Sequence, residues 1–171
     1  DIYQNELTII QAPENNGTVI SITDGSSPII SGFTIANGFA QYGGGIYIHS
    51  SSPILSRLLI IGNKAASSGG GIYMDASTAD ISNITVVSNI ANSGSALYFS
   101  EGSDVVIKNS IFWENSDFQF VCNSINGEPN TLNMTFSNLG GSGNNDTYLD
   151  NNFSNIGSNV EYSDDNPDFK N

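Results

Sequence analysis

Short stretches in which apolar and polar residues alternate recur along the chain up to Asn115. In Ile46–Ile48 the two isoleucines point to one side of an extended backbone and Tyr47 points to the other. The same order of small, apolar and aromatic residues returns twice. The three copies are Gly43–Ile48, Gly69–Met74 and the degenerate Gly94–Phe99. Alternation of this kind, bounded by Gly, Ser and Asn, predicts short β-strands.

A second apolar segment ends each unit and repeats with the same period. It occurs at Ile30–Gly38, Leu55–Asn63, Ile81–Asn89 and Ile107–Asn115. These segments begin 25 or 26 residues apart, and a period in that range is typical of solenoids, whose units stack to bury a shared core. A unit of this length holds two or three short strands and no helix. The sequence therefore predicts an all-β fold, a parallel β-helix of about six coils with an irregular C-terminal cap.

The 171 residues are expected to form one domain with three parts. We expect residues 1–17 to form the first coil, residues 18–116 the regular coils, and residues 117–171 the last strand and the C-terminal cap. The repeat is expected to break after Asn115. The apolar residues expected to anchor the cap are Tyr148, Phe153, Ile156 and Tyr162.

Three motifs carry a resemblance to a known family. The Gly-Gly-Gly-Ile-Tyr heads that begin at Gly43 and Gly69, the Ile-Ser-Asn-Ile-Thr-Val segment at Ile81, and Asn109–Asn115 resemble the right-handed β-helix repeats of secreted bacterial surface proteins. Those repeats belong to the pectin-lyase-like superfamily, and the heads are also similar to those of chlamydial polymorphic outer-membrane proteins. The resemblance covers residues 18–115 and implies a right-handed β-helix on an extracellular protein. It does not select a function, because this fold hosts lyases, hydrolases, adhesins and stalks.

The charge balance excludes several classes of partner. The formal net charge is −13, and the basic side chains are limited to Arg57, Lys64, Lys108 and Lys170. Nucleic acid is not expected as a partner, because phosphate binding needs clustered Lys and Arg. An anionic membrane surface is disfavoured for the same reason, and no apolar run is long enough for membrane insertion.

Cysteine content and the chain ends bear on localisation. Cys122 is the one cysteine, so the chain forms no internal disulfide and no metal site of the CxxC type. No signal peptide is recognisable. We expect a mature or excised part of an exported protein, either secreted or attached to the cell surface.

Asparagine recurs at one position of the repeat. Asn63, Asn89 and Asn115 are 26 residues apart and are expected to form a column at one turn. Their side-chain amides can bond to one another along the stack and satisfy the backbone of the turn. We predict a structural ladder at this position. The Gly triplets are expected to supply positive φ angles or close packing at another corner.

Tyr47, Tyr73 and Tyr98 are predicted to form an outward column with rings about 4.8 Å apart. Exposed aromatic rings can stack on sugars while their hydroxyl groups reach water, which makes the three tyrosines candidate glycan-binding residues. The other interpretation, that the stacked rings only seal the outer face of the sheet, stays open.

His49 and Asp75 occupy equivalent positions of neighbouring units, followed in the next unit by Ser100 or Glu101. A histidine beside a carboxylate can act as a general base or bind a metal, so the pair is the candidate catalytic site. The alternative is a solvated polar column. Asp80 and Asp104 lie near the start of equivalent predicted strands. No catalytic motif of the resembled enzymes can be transferred to this chain residue by residue.

Near the end of the chain, Asp164, Asp165 and Asp168 form an acidic segment. Its oxygen atoms are candidate Ca²⁺ ligands, although the segment lacks the spacing of a known calcium loop, and a solvated acidic tail is the other interpretation. Apart from possible calcium, no cofactor is expected.

These observations favour a non-catalytic extracellular module for cell-surface attachment or glycan binding. The expected partner is a polysaccharide or a cell-surface glycan. One alternative is an enzyme, either a polysaccharide lyase or a glycoside hydrolase. The other is a self-assembling fibre subunit, because the ends of a solenoid can pair with another copy or with neighbouring domains of a longer protein.

Overall fold

The structure is a computed structural model that describes residues 8–116, 118–124, 128–140, 148–149 and 160–163. It is 55% strand with essentially no helix, and parallel sheets stack into a β-solenoid of about five turns. The prediction of an all-β parallel solenoid is confirmed. One short 3-10 helix, Pro13–Asn15, lies near the start of the described residues. Within the described residues, no helix has both the length and the apolar character of a membrane span.

Three parallel sheets form the sides of the solenoid, and each complete turn adds one strand to each of them. Sheet I contains Ile20–Ile22, Ile46–His49, Ile72–Asp75, Leu97–Ser100, Phe120–Asn123 and Tyr148–Leu149. Sheet II contains Ile29–Ser31, Ile54–Ser56, Thr78–Ser82, Asp104–Lys108 and Thr131–Thr135. Sheet III contains Ile9–Gln11, Thr34–Ala36, Leu59–Ile61, Thr85–Val87, Ile111–Trp113, Ser137–Gly140 and Val160–Ser163. A smaller pair, sheet IV, joins Phe39–Tyr42 to Lys64–Ser68.

The register aligns equivalent residues, so that like side chains stack inside the solenoid. In sheet I, Ile46 pairs with Ile72, which in turn pairs with Leu97. All three side chains are fully buried, and each contributes roughly 1.5–3 kcal/mol to the free energy of folding. Because the inward faces of the three sheets meet, these columns form one continuous core.

The asparagine column lies at the corner after sheet III. The Asn89 Oδ1 accepts hydrogen bonds from the backbone N–H of Asn63 at 2.9 Å and from its side-chain amide at 3.0 Å. The Asn115 Oδ1 accepts the same two bonds from Asn89, both at 3.0 Å. The Asn89 amide also donates to the Ile60 carbonyl at 2.9 Å. All three asparagines are buried, so their polar groups depend on these bonds.

Serine forms a further column, which the sequence analysis missed, at the corner between sheets I and II. The N–H of Ser51 donates to the Ser77 hydroxyl at 3.1 Å, and the N–H of Ser77 donates to the Ser103 hydroxyl at 3.2 Å. Asn130 ends the column by accepting from the N–H of Ser103 at 2.8 Å. The 26-residue spacing is visible in the sequence, but serine is so frequent in this chain that the signal is weak.

The glycine triplets lie at the corner before sheet I. Gly43 and Gly69 have φ angles of 60° and 70°, in the left-handed region that glycine adopts without strain. At the next residue, Gly44, a Cβ atom would lie 2.4 Å from the Lys64 carbonyl oxygen. The first glycine of a triplet therefore allows the positive φ angle, and the second leaves room for the backbone of the neighbouring turn to approach closely.

Beyond Asn115 the solenoid continues, but the spacing between equivalent strand residues changes from 25 or 26 to 23 or 27 residues. Phe120–Asn123, Thr131–Thr135 and Ser137–Gly140 extend sheets I, II and III by a further turn. These strands keep the inward apolar positions, whereas the segments between them differ in length from the earlier turns. Tyr148–Leu149 and Val160–Ser163 continue sheets I and III. The predicted cap anchors Phe153 and Ile156 lie outside the described residues.

Candidate functional site

The outer face of sheet I carries two parallel rows of side chains. Every second residue of each strand faces outward, and the strands are in register. The first row, here called the aromatic row, consists of Tyr47, Tyr73 and Tyr98. The second, here called the polar row, consists of His49, Asp75, Ser100 and Asn123. The structure thus brings together the candidate tyrosines and the candidate His49–Asp75 pair on one surface.

The rings of the aromatic row stack face to face. The ring centroids of Tyr47 and Tyr73 are 5.4 Å apart with an interplanar angle of 2°. Those of Tyr73 and Tyr98 are 5.2 Å apart with an angle of 4°. Each inner ring face is therefore covered by its neighbour. On the other side of Tyr47 the register partner is Ser21, so that face of the Tyr47 ring has no aromatic neighbour in the row.

Exposure falls along the row. Tyr47 and Tyr73 are half-buried, whereas Tyr98 is only 7% exposed. The hydroxyl of Tyr98 accepts a hydrogen bond from the Asn123 amide at 3.1 Å. The sequence predicts an outward column of three exposed tyrosines. The row instead grades from an open end at Tyr47 to a closed end at Tyr98.

Burial changes the acidity of the tyrosines. Desolvation, followed by the nearby Asp75 carboxylate, raises the pKa of Tyr73 to about 12. Burial also raises the pKa of Tyr47 and of Tyr98. The row is therefore uncharged at neutral pH, and its hydroxyl groups keep their protons for hydrogen bonding.

Tyr42 widens the aromatic row and was missed by the sequence analysis. It belongs to sheet IV, and its ring lies 5.2 Å from that of Tyr73 at an angle of 46°. The side chain is 44% exposed. Tyr42 pairs in register with Ser68, so no aromatic residue recurs at this position and the repeat gave no signal for it.

His49 and Asp75 form a direct contact in the polar row. The His49 Nδ1 lies 2.9 Å from the Asp75 Oδ2. The other carboxylate oxygen accepts a hydrogen bond from the Ser100 hydroxyl at 3.1 Å. Asp75 therefore fixes the orientation of the imidazole while Ser100 fixes that of Asp75. A histidine held in this way can exchange protons with a ligand or donate a hydrogen bond to it.

The surroundings of His49 bear on nucleophilic chemistry. Its Nε2 lies 3.3 Å from the hydroxyl of Ser50. However, the N–H of Ser50 donates to the Asp75 carbonyl, and the N–H of Ser51 donates to the Ser77 hydroxyl. Both groups are committed to the stack, so they cannot also stabilise an oxyanion next to Ser50. Among the described residues, no group of three or more His, Cys, Asp and Glu could hold a metal ion.

The structure does not bring Asp80 and Asp104 together. Both lie in sheet II, but Asp104 pairs with Thr78 and Asp80 pairs with Val106. The two carboxylates are thus offset by two positions along neighbouring strands. Asp104 accepts a hydrogen bond from the hydroxyl of Thr131 at 2.5 Å. The candidate calcium ligands Asp164, Asp165 and Asp168 lie outside the described residues.

A depression of about 550 Å³ lies at the Tyr98 end of the aromatic row. The described residues that line it are Ser68, Asn92, Ser93, Tyr98, Phe118, Val121 and Asn123. Apolar side chains and amide or hydroxyl groups both face this space. A mixed lining of this kind is usual in sites for small organic ligands.

Comparison with known proteins assigns no family. No protein-family model, no curated protein and no solved structure matches the chain. Function is therefore inferred from the geometry of the outer face of sheet I.

Proposed function

We propose that this chain is a non-catalytic extracellular β-solenoid module that binds glycans on the outer face of sheet I. The observation that carries the proposal is the aromatic row lying directly beside the polar row, in register. Tyr47 and Tyr73 are both accessible, and His49 and Asp75 lie two residues further along the same strands.

The two rows match the chemistry of a sugar chain. A sugar ring has apolar C–H faces and a rim of hydroxyl groups, and aromatic side chains with a polar tip offer contacts for both. The open face of Tyr47 and the ring edges of Tyr73 supply apolar area. The Asp75 carboxylate and the His49 imidazole supply polar groups beside them. Because strands repeat about every 4.8 Å, the aromatic row presents tyrosine side chains at regular intervals along a polymer.

Charge favours a neutral polymer. The net charge of −13 repels uronates and sulfated glycans at long range. Beside the tyrosines, the Asp75 carboxylate adds to the negative potential at the rings of Tyr47 and Tyr73. A neutral polysaccharide is therefore the expected ligand.

We also infer membership of the pectin-lyase-like superfamily and an extracellular location. Support comes from the Gly-Gly-Gly-Ile-Tyr heads at Gly43 and Gly69 together with the parallel solenoid. Only 12% of the residues are charged, so Ser, Asn and Thr supply most of the polar surface. Asn and Ser also form the hydrogen-bonded columns at the turns.

A polysaccharide-degrading enzyme is the second candidate, and the observation that favours it is the 2.9 Å contact between His49 and Asp75. Hydrolysis of a glycosidic bond usually needs two carboxylates on opposite sides of the bond.

Incubating the chain with each polysaccharide and measuring new reducing ends distinguishes the candidates. Binding without cleavage supports the module, and cleavage that is lost in Asp75→Asn supports the enzyme.

The direct test immobilises the chain and measures retention of neutral glucans, mannans, galactans and xylans, with polygalacturonate as the anionic comparison. We expect retention of at least one neutral polymer and none of polygalacturonate. Failure to retain any neutral polymer would overturn the proposal.

A further inference from the structure

Phe118, which lines the depression beside Tyr98, occupies a position that three earlier turns give to glycine. The N–H of Gly44 donates to the Gly69 carbonyl, and in the later turn the N–H of Ser95 donates to the Phe118 carbonyl. Phe118 therefore continues the column of first glycines, whose members are Gly43, Gly69 and Gly94. A bulky aromatic residue replaces the smallest residue at a single point of the repeat.

The backbone of Phe118 keeps the conformation of the glycines it replaces. Its φ angle is 37°, and that of Gly94 is 58°. Left-handed φ angles are unfavourable for bulky side chains. The strain is not repaid by burial, because the Phe118 side chain is 40% exposed. Packing inside the solenoid therefore does not explain the phenylalanine.

A change in loop length gives Phe118 its place. Leu97 and Phe120 are register partners. Leu97 lies three residues after Gly94, whereas Phe120 lies only two residues after Phe118. A Cβ atom at Gly94 would lie 2.7 Å from the Leu97 carbonyl oxygen. The shorter connection shifts this corner, and the ring of Phe118 lines the depression together with Val121.

The polar lining offers hydrogen-bond acceptors. The side-chain NH₂ of Asn92 donates to the Ala66 carbonyl at 3.0 Å, and that of Asn123 donates to the Tyr98 hydroxyl at 3.1 Å. These bonds orient each amide, and no described residue donates to either Oδ1, so both oxygens can accept a hydrogen bond from a ligand. The hydroxyl groups of Ser68 and Ser93 also line the space. All seven lining residues that the structure describes are uncharged.

We infer that this depression is a subsite for one neutral pyranose ring, with Phe118 as the apolar platform and Asn92 and Asn123 as acceptors for sugar hydroxyl groups. The inference rests on the proposed function and deepens it, because it gives the glycan a defined end on the aromatic row. A single ring fits a space of about 550 Å³ that is open to solvent. An ionic ligand does not fit the uncharged lining.

The substitution Phe118→Gly tests the subsite, because it restores the residue found in the other three turns and relieves the backbone strain. The matched control is Phe136→Gly, since Phe136 is also a phenylalanine at a positive φ angle, 50°, is 63% exposed, and is not among the residues that line the depression. Affinity for a retained neutral polysaccharide should fall roughly tenfold in Phe118→Gly, as for loss of an aromatic anchor, and stay unchanged in Phe136→Gly. Thermal unfolding of both variants should occur at or above the temperature of the parent.

A second measurement locates the site. In ¹⁵N NMR spectra, methyl glycosides of glucose, mannose, galactose and xylose are titrated into the parent and into Phe118→Gly. We expect the side-chain amide signals of Asn92 and Asn123 to move in the parent and to stay in place in the variant. Polymer binding that Phe118→Gly leaves intact, or amide signals that move equally in both proteins, would overturn the subsite alone. A parent that binds neither polymers nor glycosides overturns the subsite and the proposed function together.

Discussion

Tyr47 and Tyr73 lie face to face on neighbouring turns, with ring centroids 5.4 Å apart and planes inclined by only 2°. Because the two rings cover each other, a ligand can reach the outer face of Tyr47 but only the edge of Tyr73. The same contact therefore contributes to stability and limits which aromatic surface is free for binding.

This asymmetry predicts different outcomes for two alanine substitutions. Tyr73→Ala removes a ring that stacks on both sides, and each aromatic pair contributes roughly 0.5–1.5 kcal/mol. Tyr47→Ala removes one such pair in the row and the open ring face. We expect Tyr73→Ala to lower the free energy of unfolding more, and Tyr47→Ala to weaken glycan binding with the smaller loss of stability. Urea unfolding and binding isotherms of both variants check this, and equal stability losses would contradict it.

The asparagine column predicts a large stability loss for Asn89→Ala. The substitution removes the acceptor for two groups of Asn63 and leaves the buried Ile60 carbonyl without its 2.9 Å partner. Each buried polar group left unpaired costs roughly 1–3 kcal/mol. Asn133→Ala, on the exposed side of sheet II, serves as the control and should change the free energy by no more than about 0.5 kcal/mol. If urea unfolding gives the same midpoint for both variants, the asparagine column does not make this contribution to the free energy of unfolding.

The raised pKa of Tyr73 predicts a loss of stability at alkaline pH. The phenol titrates near 12 in the folded protein and near 10 in the unfolded chain, so the folded state holds the proton more tightly. The resulting stabilisation is fully present below pH 10 and is lost as pH rises from 10 towards 12. Urea unfolding at pH 9 and pH 11 should show a smaller alkaline loss for Tyr73→Phe than for the parent. An identical loss in both proteins would show that other groups dominate.

The polar row predicts a binding role for Asp75. Asp75→Ala removes the partner of His49 and of Ser100 and should weaken glycan binding about tenfold, the effect of losing one good charge-assisted hydrogen bond. Stability should also fall, by roughly 1–3 kcal/mol, because Asp75 is only 20% exposed and the substitution leaves the buried Ser100 hydroxyl without its acceptor. Isothermal titration of the variant, with Asp24→Ala as an exposed carboxylate in a different turn, provides the comparison. Unchanged affinity in Asp75→Ala would remove the polar row from the binding surface.

The sequence predicts the structural features that recur with the 25- or 26-residue repeat. The asparagine spacing and the alternation around Tyr47 and Tyr73 follow from the 25- or 26-residue unit, because register turns equal spacing into spatial columns. Tyr42 could not be found in this way, since its register partner is Ser68. Phe118 was also missed, because the connection to its strand is one residue shorter than in the previous turn and hides its alignment with the glycines.

The most direct test of a glycan-binding face is the location of the contact itself. Backbone amide signals of the ¹⁵N-labelled parent are followed by NMR during titration with a neutral polysaccharide that the chain retains. The proposed function predicts shifts in the sheet I strands Ile46–His49, Ile72–Asp75 and Leu97–Ser100 and in the neighbouring strand Phe39–Tyr42, with sheets II and III unaffected. Shifts centred on sheet II or sheet III would contradict it.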